Sequence, residues 1–372
     1  MAKKTNMALV LLFCGFLGAF FLLNLLLPDN DFSPRENRQL QTAPKFTFSA
    51  LFRGDFTKKM EDYSADQFPF RDRWISAKAA MELLQGKEQN NGVFYCGERL
   101  LEPFAAPSEQ ELERRVGWVN GFAEKVGVPV TVSLIPTSAE IYAELLPSGA
   151  ENDSQAAVIR SVGDMLLTGF TDLSEILSQK KSEYVFYRTD HHWTSLGAWY
   201  AYDALGGSLG YTPRALTEYA PEAVSDSFFG TLYSSSGFFW LKDADVIHSY
   251  VPDEGVIVER YDTAQPTVTG LYDTSALETK DQYRYFLGGN CPQIVVKTGH
   301  DDLPSLLIVR DSFADSLLPF LLEHFSEIHL LDLRYYYDSP SAYVESNGID
   351  RVLILLSVDD FCTENNLNLL IL

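Results

Sequence analysis

The chain opens with an unbroken apolar run, MALVLLFCGFLGAFFLLNLLL, from Met7 to Leu27, in which Asn24 is the one strongly polar side chain. A run of that length matches the hydrocarbon core of a bilayer and predicts a membrane-spanning helix. Lys3 and Lys4 lie on its short N-terminal side, which orients residues 1–6 toward the cytoplasm. No small-x-small pattern follows before Pro28 and Asp29, so the run reads as a retained signal anchor, not a cleaved signal peptide. Cys14 follows bulky Phe13, where a lipoprotein site wants a small residue, and reads as a membrane-buried thiol. Residues 28–105 form a polar, proline-interrupted stalk and lead-in, with helical spacing after Arg71. From about Leu112, short apolar runs alternate with helical stretches. Strands are predicted at Val128–Ile135, Tyr184–Arg188, Leu306–Val309, Ile328–Leu333 and Val352–Ser357. Helices are predicted at Glu109–Val126, Ala156–Leu167, Ser316–His324 and Ser341–Ser346, and another begins after Thr194 or Ser195, either of which can cap it. This alternation predicts an α/β fold over residues 106–372, a three-layer α/β/α sandwich around a mainly parallel sheet. The stretch 210–290, rich in Gly, Ser and aromatics, reads as an excursion over one end of that sheet, with room for a β-hairpin.

Composition narrows what such a molecule can do. An apolar content of 46% with 13% aromatics suits a folded chain of 372 residues. The formal charge is −22, and because the anchor and tip hold two lysines and no acid, the part from Pro28 onward carries −24. A surface that acidic, with no basic stripe, repels phosphate backbones and argues against nucleic-acid binding. Cys96, Cys291 and Cys362 are widely spaced and odd in number, which fits neither a disulfide framework nor a zinc site. An exported chain so poor in cysteine suits a bacterial source.

Two segments sit where an α/β sheet gathers its ligands, at strand ends. In YRTDHHWTSLGAWYAY, residues 187–202, Asp190 and His192 stand at i and i+2, so in extended backbone they share a face while His191 points away. In SLLIVRDSFADSLLPFL, residues 305–321, a buried strand ends at Arg310 or Asp311 and Ser312 occupies the turn into a helix. A carboxylate that orients an imidazole, which in turn takes the proton of a serine, is the relay of acyl transfer. Asp190, His192 and Ser312 supply its three parts, with core filling and an N-cap serine as the ordinary alternatives. Acyl transfer also needs donors for a developing oxyanion. The Ser312 amide is the first candidate, and Gly289 and Asn290 of FLGGNCP offer a turn that can approach a ligand. Arg310, His191, Tyr233 and Trp240 are candidates for lining the substrate. The six histidines show no His-x-x-x-His pair, so no metal is expected, and nothing in the chain calls for a cofactor.

TDHHW at 189–193 resembles the signature of the bacterial DHHW protein family. SPRENRQL (33–40), DQFPFRDRW (66–74), GGN (288–290), VRDSFADSLLPFL (309–321) and DLRYY (332–336) support the resemblance. That family is similar to the extracytoplasmic alginate O-acetylation proteins of the SGNH-hydrolase-like superfamily, in which an Asp-x-His motif and a distant downstream serine form the triad. The resemblance implies Asp190 as orienter, His192 as general base and Ser312 as nucleophile. It also implies an O-acetyltransferase of a cell-surface polysaccharide, working beside a membrane-bound O-acyltransferase, with its C-terminal domain outside a single-pass anchor. The same triad would serve a carbohydrate esterase or deacetylase. The fold without the chemistry would serve a membrane-tethered scaffold or polysaccharide-binding protein.

Overall fold

The computed structural model describes residues 2–253 and 255–372, with side chains from Thr5 onward. Met1 and the Lys3 and Lys4 side chains of the expected basic tip lie outside the described residues. Two compact units form, Met1–Asn91 with Tyr233–Lys242, and Gly92–Leu232 with Asp243–Leu372. The first unit runs to residue 91 and takes in ten residues, Tyr233–Lys242, of the 210–290 stretch.

The N-terminal unit is helical. Its first helix, Ala2–Leu26, includes a 22-residue stretch, Thr5–Leu26, long and apolar enough to cross a membrane. Phe20 stacks on Phe68 at 5.4 Å between ring centroids and meets Trp74 edge-on at 5.7 Å, while the Asn24 side chain donates to the Gln67 carbonyl. SPRENRQL and DQFPFRDRW meet here: Arg38 donates twice to Asp66, and Arg71 pairs with Glu36. Tyr233–Lys242 joins them because Arg35 donates to the Tyr233 hydroxyl and the Phe239 carbonyl, and Asn90 donates to the Ser236 carbonyl.

The larger unit is built on an eight-stranded mixed sheet. In chain order its strands are β1 Val130–Ile135, β2 Gly169–Phe170, β3 Ile257–Arg260, β4 Thr267–Thr269, β5 Gln293–Lys297, β6 Leu306–Arg310, β7 Glu327–Leu331 and β8 Arg351–Ser357. Across the sheet they run β4-β3-β5-β7-β6-β8-β1-β2. The five from β7 to β2 are parallel, and β5, β3 and β4 add an antiparallel edge. The central strands are mostly apolar on both faces because both are covered. Leu306, Ile308, Leu353 and Leu355 face one core with helices Ser195–Leu209 and Ala314–Leu321. Leu307, Val309, Ile354 and Leu356 face the other with Glu109–Val126 and Gln155–Met165. Thr194 caps its helix by accepting from the Gly197 amide, and Ser108 does the same for Glu109–Val126 from Glu111.

Tyr184–Arg188, expected as a strand, lies outside the sheet and makes a single bridge, Phe186 to Trp193. Its backbone partners come from elsewhere. Buried Arg99 donates to the Phe186 and Tyr187 carbonyls, the Leu100 amide donates to the Arg188 carbonyl, and buried Asp245 accepts from the Arg188 and Thr189 amides. Backbone groups satisfied this way need no neighbouring strand. In the 210–290 stretch, Glu222–Phe228 and Asp245–Ser249 form a separate antiparallel pair, and β3 and β4 extend the main sheet. Glu254 of this stretch lies outside the described residues.

Candidate active site

The C-terminal ends of β1, β6, β7 and β8 surround a cavity of about 240 Å³. Thr137 and Ser138 reach it from beyond β1, Ser312 and Phe313 from beyond β6, Arg334 from beyond β7, and Ser357, Asp359 and Asp360 from the end of β8. This is the position at which open parallel sheets collect catalytic groups. Glu102, His191 and Leu232 complete much of the wall.

At its base the DHHW segment meets the turn after β6. Asp190 and His192 lie in a bend rather than in extended backbone. What unites them is an Asx-type turn: the His192 amide donates to Asp190 Oδ1 at 3.0 Å, and His192 Nδ1 lies 2.6 Å from the same oxygen. The other carboxylate oxygen accepts from the Thr231 amide at 2.8 Å and the Thr231 hydroxyl at 3.1 Å. His192 Nε2 lies 2.8 Å from Ser312 Oγ. The network therefore assigns the His192 proton to Nδ1 and leaves Nε2 to accept from the serine. Burial alone would raise the Asp190 carboxyl, but the electrostatic pull of the adjacent His191 and His192 rings and the hydrogen bonds from His192 outweigh it. They hold Asp190 well below the usual carboxylate range.

Packing immobilises the imidazole. The Tyr283 ring stacks on it at 3.8 Å and 10°, and Phe313 closes another side at 4.9 Å. The Tyr283 hydroxyl donates toward the Ser312 carbonyl and Ser316, and Trp193 Nε1 donates to the Phe313 carbonyl, so the rings also brace the serine turn. Asp311 ties that turn to the next strand by accepting from the Phe313 amide and, at 2.6 Å, from the Ser357 amide. A Cβ on Gly230 would collide with the Asp190 side chain, so close passage of the backbone over that carboxylate requires glycine.

The remaining predicted residues separate. His191 lines the cavity, packs its ring against His192 at 3.8 Å with the planes tilted by 36°, and bonds through Nδ1 to the Thr231 hydroxyl at 2.6 Å, which itself donates to Asp190. Lost hydration and the neighbouring His192 push its pKa down, so it is neutral in ordinary buffers. Arg310 does not line the cavity. It is fully buried, 3.0 Å from Asp315 and 3.8 Å from Asp332, because its side chain turns under the sheet end. Gly289 and Asn290 do not line it either. Their turn folds around Arg260, which donates to the Leu287, Gly289 and Asn290 carbonyls, and the Asn290 amide donates to Tyr335. Tyr233 and Trp240 belong to the N-terminal unit, where the Tyr233 hydroxyl accepts from Arg35. Donor atoms of Asp190, His191 and His192 all lie within 4.8 Å of one another, as a metal site would need. Both nitrogens of His192 and the Nδ1 of His191 are already committed to Asp190, Ser312 and Thr231, so a metal would have to break the relay.

Tyr283, Gly230, Thr231 and Asp245 hold the Asp190–His192 segment in place, and the sequence does not announce them. They arrive from the excursion, where no periodic pattern marks them. Asp311 has a signal, since it stands beside Ser312 in the same short motif.

A family model described as DHHW protein matches residues 116–331. A probable alginate O-acetylase AlgJ of Pseudomonas syringae pv. tomato is 26% identical over 198 residues, 49% of this chain and 50% of that protein. Its counterpart from Pseudomonas putida is 27% identical over 190 residues, 46% and 47% of the two chains. The chain thus spans about half the length of the curated relatives it matches. Among solved structures, a DHHW family protein from Eubacterium siraeum superposes with a TM-score of 0.63 at 26% identity, over 76% of this chain and 95% of that one. Bacillus cereus PatB1 with a sulfonyl adduct superposes at 0.62 and 20% identity, over 72% and 95%, a likeness of fold.

Proposed function

The chain belongs to the DHHW protein family, and on that footing we propose that it is an extracytoplasmic O-acetyltransferase of a cell-surface polysaccharide, acting through an acyl-serine intermediate on an SGNH-hydrolase-like α/β/α fold. The reading rests above all on the hydrogen-bonded path Asp190–His192–Ser312, at 2.6 and 2.8 Å. The names of the AlgJ relatives favour O-acetyl transfer over other acyl chemistry.

His192 Nε2 takes the Ser312 proton as Oγ attacks the carbonyl carbon of the acyl donor. The Ser312 amide, at the strand-to-helix turn, is the oxyanion donor we assign. Collapse of the tetrahedral adduct expels the donor's leaving group, which takes the proton from His192, and leaves an acyl-Ser312 ester. A sugar hydroxyl then gives its proton to His192, attacks the ester carbonyl, and departs acetylated as Ser312 regains its proton. Asp190 stays ionised throughout and stabilises the imidazolium. With water in place of the sugar, the same steps make an esterase. An apolar N-terminal helix suits a single-pass anchor that would hold Ser312 beside a membrane-bound O-acyltransferase supplying acyl groups.

The test is fluorophosphonate labelling of the detergent-solubilised full chain. Wild type should label and Ser312→Ala should not. Undiminished labelling of the variant, or folded wild type that neither labels nor turns over an aryl acetate, would sink the proposal.

A further inference from the structure

Deepening that function, and resting on it, we infer that the acceptor sugar at this site carries no acidic group: the cavity at Ser312 is built for a neutral or amino-bearing glycan and against a polyuronate. The inference differs from what the names of the alginate relatives suggest. It stands on the charges that face the acceptor.

Three acidic side chains line the cavity with Ser312: Glu102, Asp359 and the half-buried Asp360, whose carboxyl lost hydration and the nearby Asp311 push up to about 8, which leaves Glu102 and Asp359 to carry the negative charge. The cation among the lining residues is Arg334, and it is engaged. Its Nε and Nη2 donate to the two oxygens of fully buried Asp332 at 2.8 and 2.7 Å, and its Nη1 lies 3.7 Å from Asp360. A bidentate pair of this kind offsets the guanidinium charge and fixes its plane, with the Nη1 side turned toward Asp360. His191, the other basic group on the wall, is held neutral.

The acids already crowd one another. Lost hydration raises the Glu102 and Asp359 carboxyls against the pull of the His191 ring, and Asp359 adds to the rise of Glu102 as Asp311 adds to that of Asp359. A uronate brought to Ser312 would add to that repulsion, whereas a neutral hydroxyl would not and an ammonium would relieve it. The wider field points the same way: residues 92–372 carry all of the −24, since residues 28–91 hold ten basic and ten acidic side chains. Such a field lowers the local concentration of a polyanion before it reaches the cavity.

The detergent-solubilised full chain, supplied with an aryl acetate at low ionic strength, is offered a mannuronate oligomer, the same oligomer carboxyl-reduced to mannose, and a glucosamine oligomer. Transfer to the reduced or amino oligomer should exceed transfer to the mannuronate tenfold or more. Glu102→Gln combined with Asp359→Asn should shrink that ratio at least tenfold. Mannuronate acetylated as fast as the reduced oligomer, transfer to none of the three, or a ratio unmoved by the double variant would overturn the inference. Fluorophosphonate labelling of the same samples keeps the two ideas apart. Labelled protein that prefers mannuronate refutes only the acceptor class, unlabelled wild type refutes the acyl-serine itself, and labelled double variant shows that its site is folded.

Discussion

Asp190 accepts four hydrogen bonds, two from His192 and two from Thr231, and each has a different consequence if lost. Asp190→Asn retains the size and one acceptor oxygen but removes the charge that stabilises the imidazolium and fixes its tautomer. Single-turnover acylation should fall by about 10²–10⁴-fold with little change in melting temperature; a loss below tenfold would mean that Asp190 only shapes the turn. Gly230→Ala places a methyl group against the same carboxylate. It should depress acylation by at least an order of magnitude without touching any reacting atom, and a crystal structure should show Asp190 displaced. Asp190, His192 and Ser312 are legible in the sequence because acid, imidazole and hydroxyl stand in short motifs. Strand alternation does not account for the Asp190–His192 pairing, since a side-chain-to-backbone turn unites them instead. Tyr283 is illegible: a tyrosine ring on a histidine leaves no mark in a sequence until the fold brings residue 283 beside residue 192.

Among the elements, those carried by hydrophobic pattern alone came out within a few residues: β1, β6, β7 and β8, and the helices around them. Tyr184–Arg188 misled because an apolar, aromatic run also suits a buried fold-back held by side chains. Asp245 is the centre of that fold-back, accepting from the Tyr184 hydroxyl, the Arg188 and Thr189 amides and the Thr189 hydroxyl. Asp245→Ala strands those buried donors and should destabilise the protein by about 3 kcal/mol, read by denaturant titration. Acylation should fail with it, because Thr189 adjoins Asp190. The helix Ala314–Leu321 is buried along its whole length, and burial lifts Asp315 in its first turn to about 7 against the pull of Arg310. The folded chain thus holds a proton there that the unfolded chain releases near pH 4, about the ordinary carboxylate value. Its stabilising contribution is complete below that pH and declines as the pH rises toward 7. The melting temperature of Asp315→Asn relative to wild type should therefore climb between pH 5 and pH 7.5; a constant offset would show that Asp315 does not titrate there.

At the scale of the whole molecule, charge and pattern divide the chain alike. The helical N-terminal unit holds thirteen basic and ten acidic side chains, a small positive excess, and the sheet-bearing unit holds the acidity. Pattern foresaw the long apolar helix at the start of the chain but not that Tyr233–Lys242 would return to this unit, since that return depends on single contacts such as Arg35 to Tyr233. The stack of Phe20 on Phe68 has a practical consequence. Phe20 lies six residues before the end of its helix, roughly 9 Å along the axis at the usual rise per residue. In the intact chain Phe68 and Trp74 therefore rest against the apolar helix inside its end and find partial shelter there, both staying partly exposed. A shortened, secreted form begun at Pro28 loses that shelter and leaves two large rings facing water. It should elute as soluble oligomers in size-exclusion chromatography, and Phe68→Ser with Trp74→Ser should return it to a monomer. Anyone preparing this protein for kinetics gains by keeping the helix or by blunting those two rings.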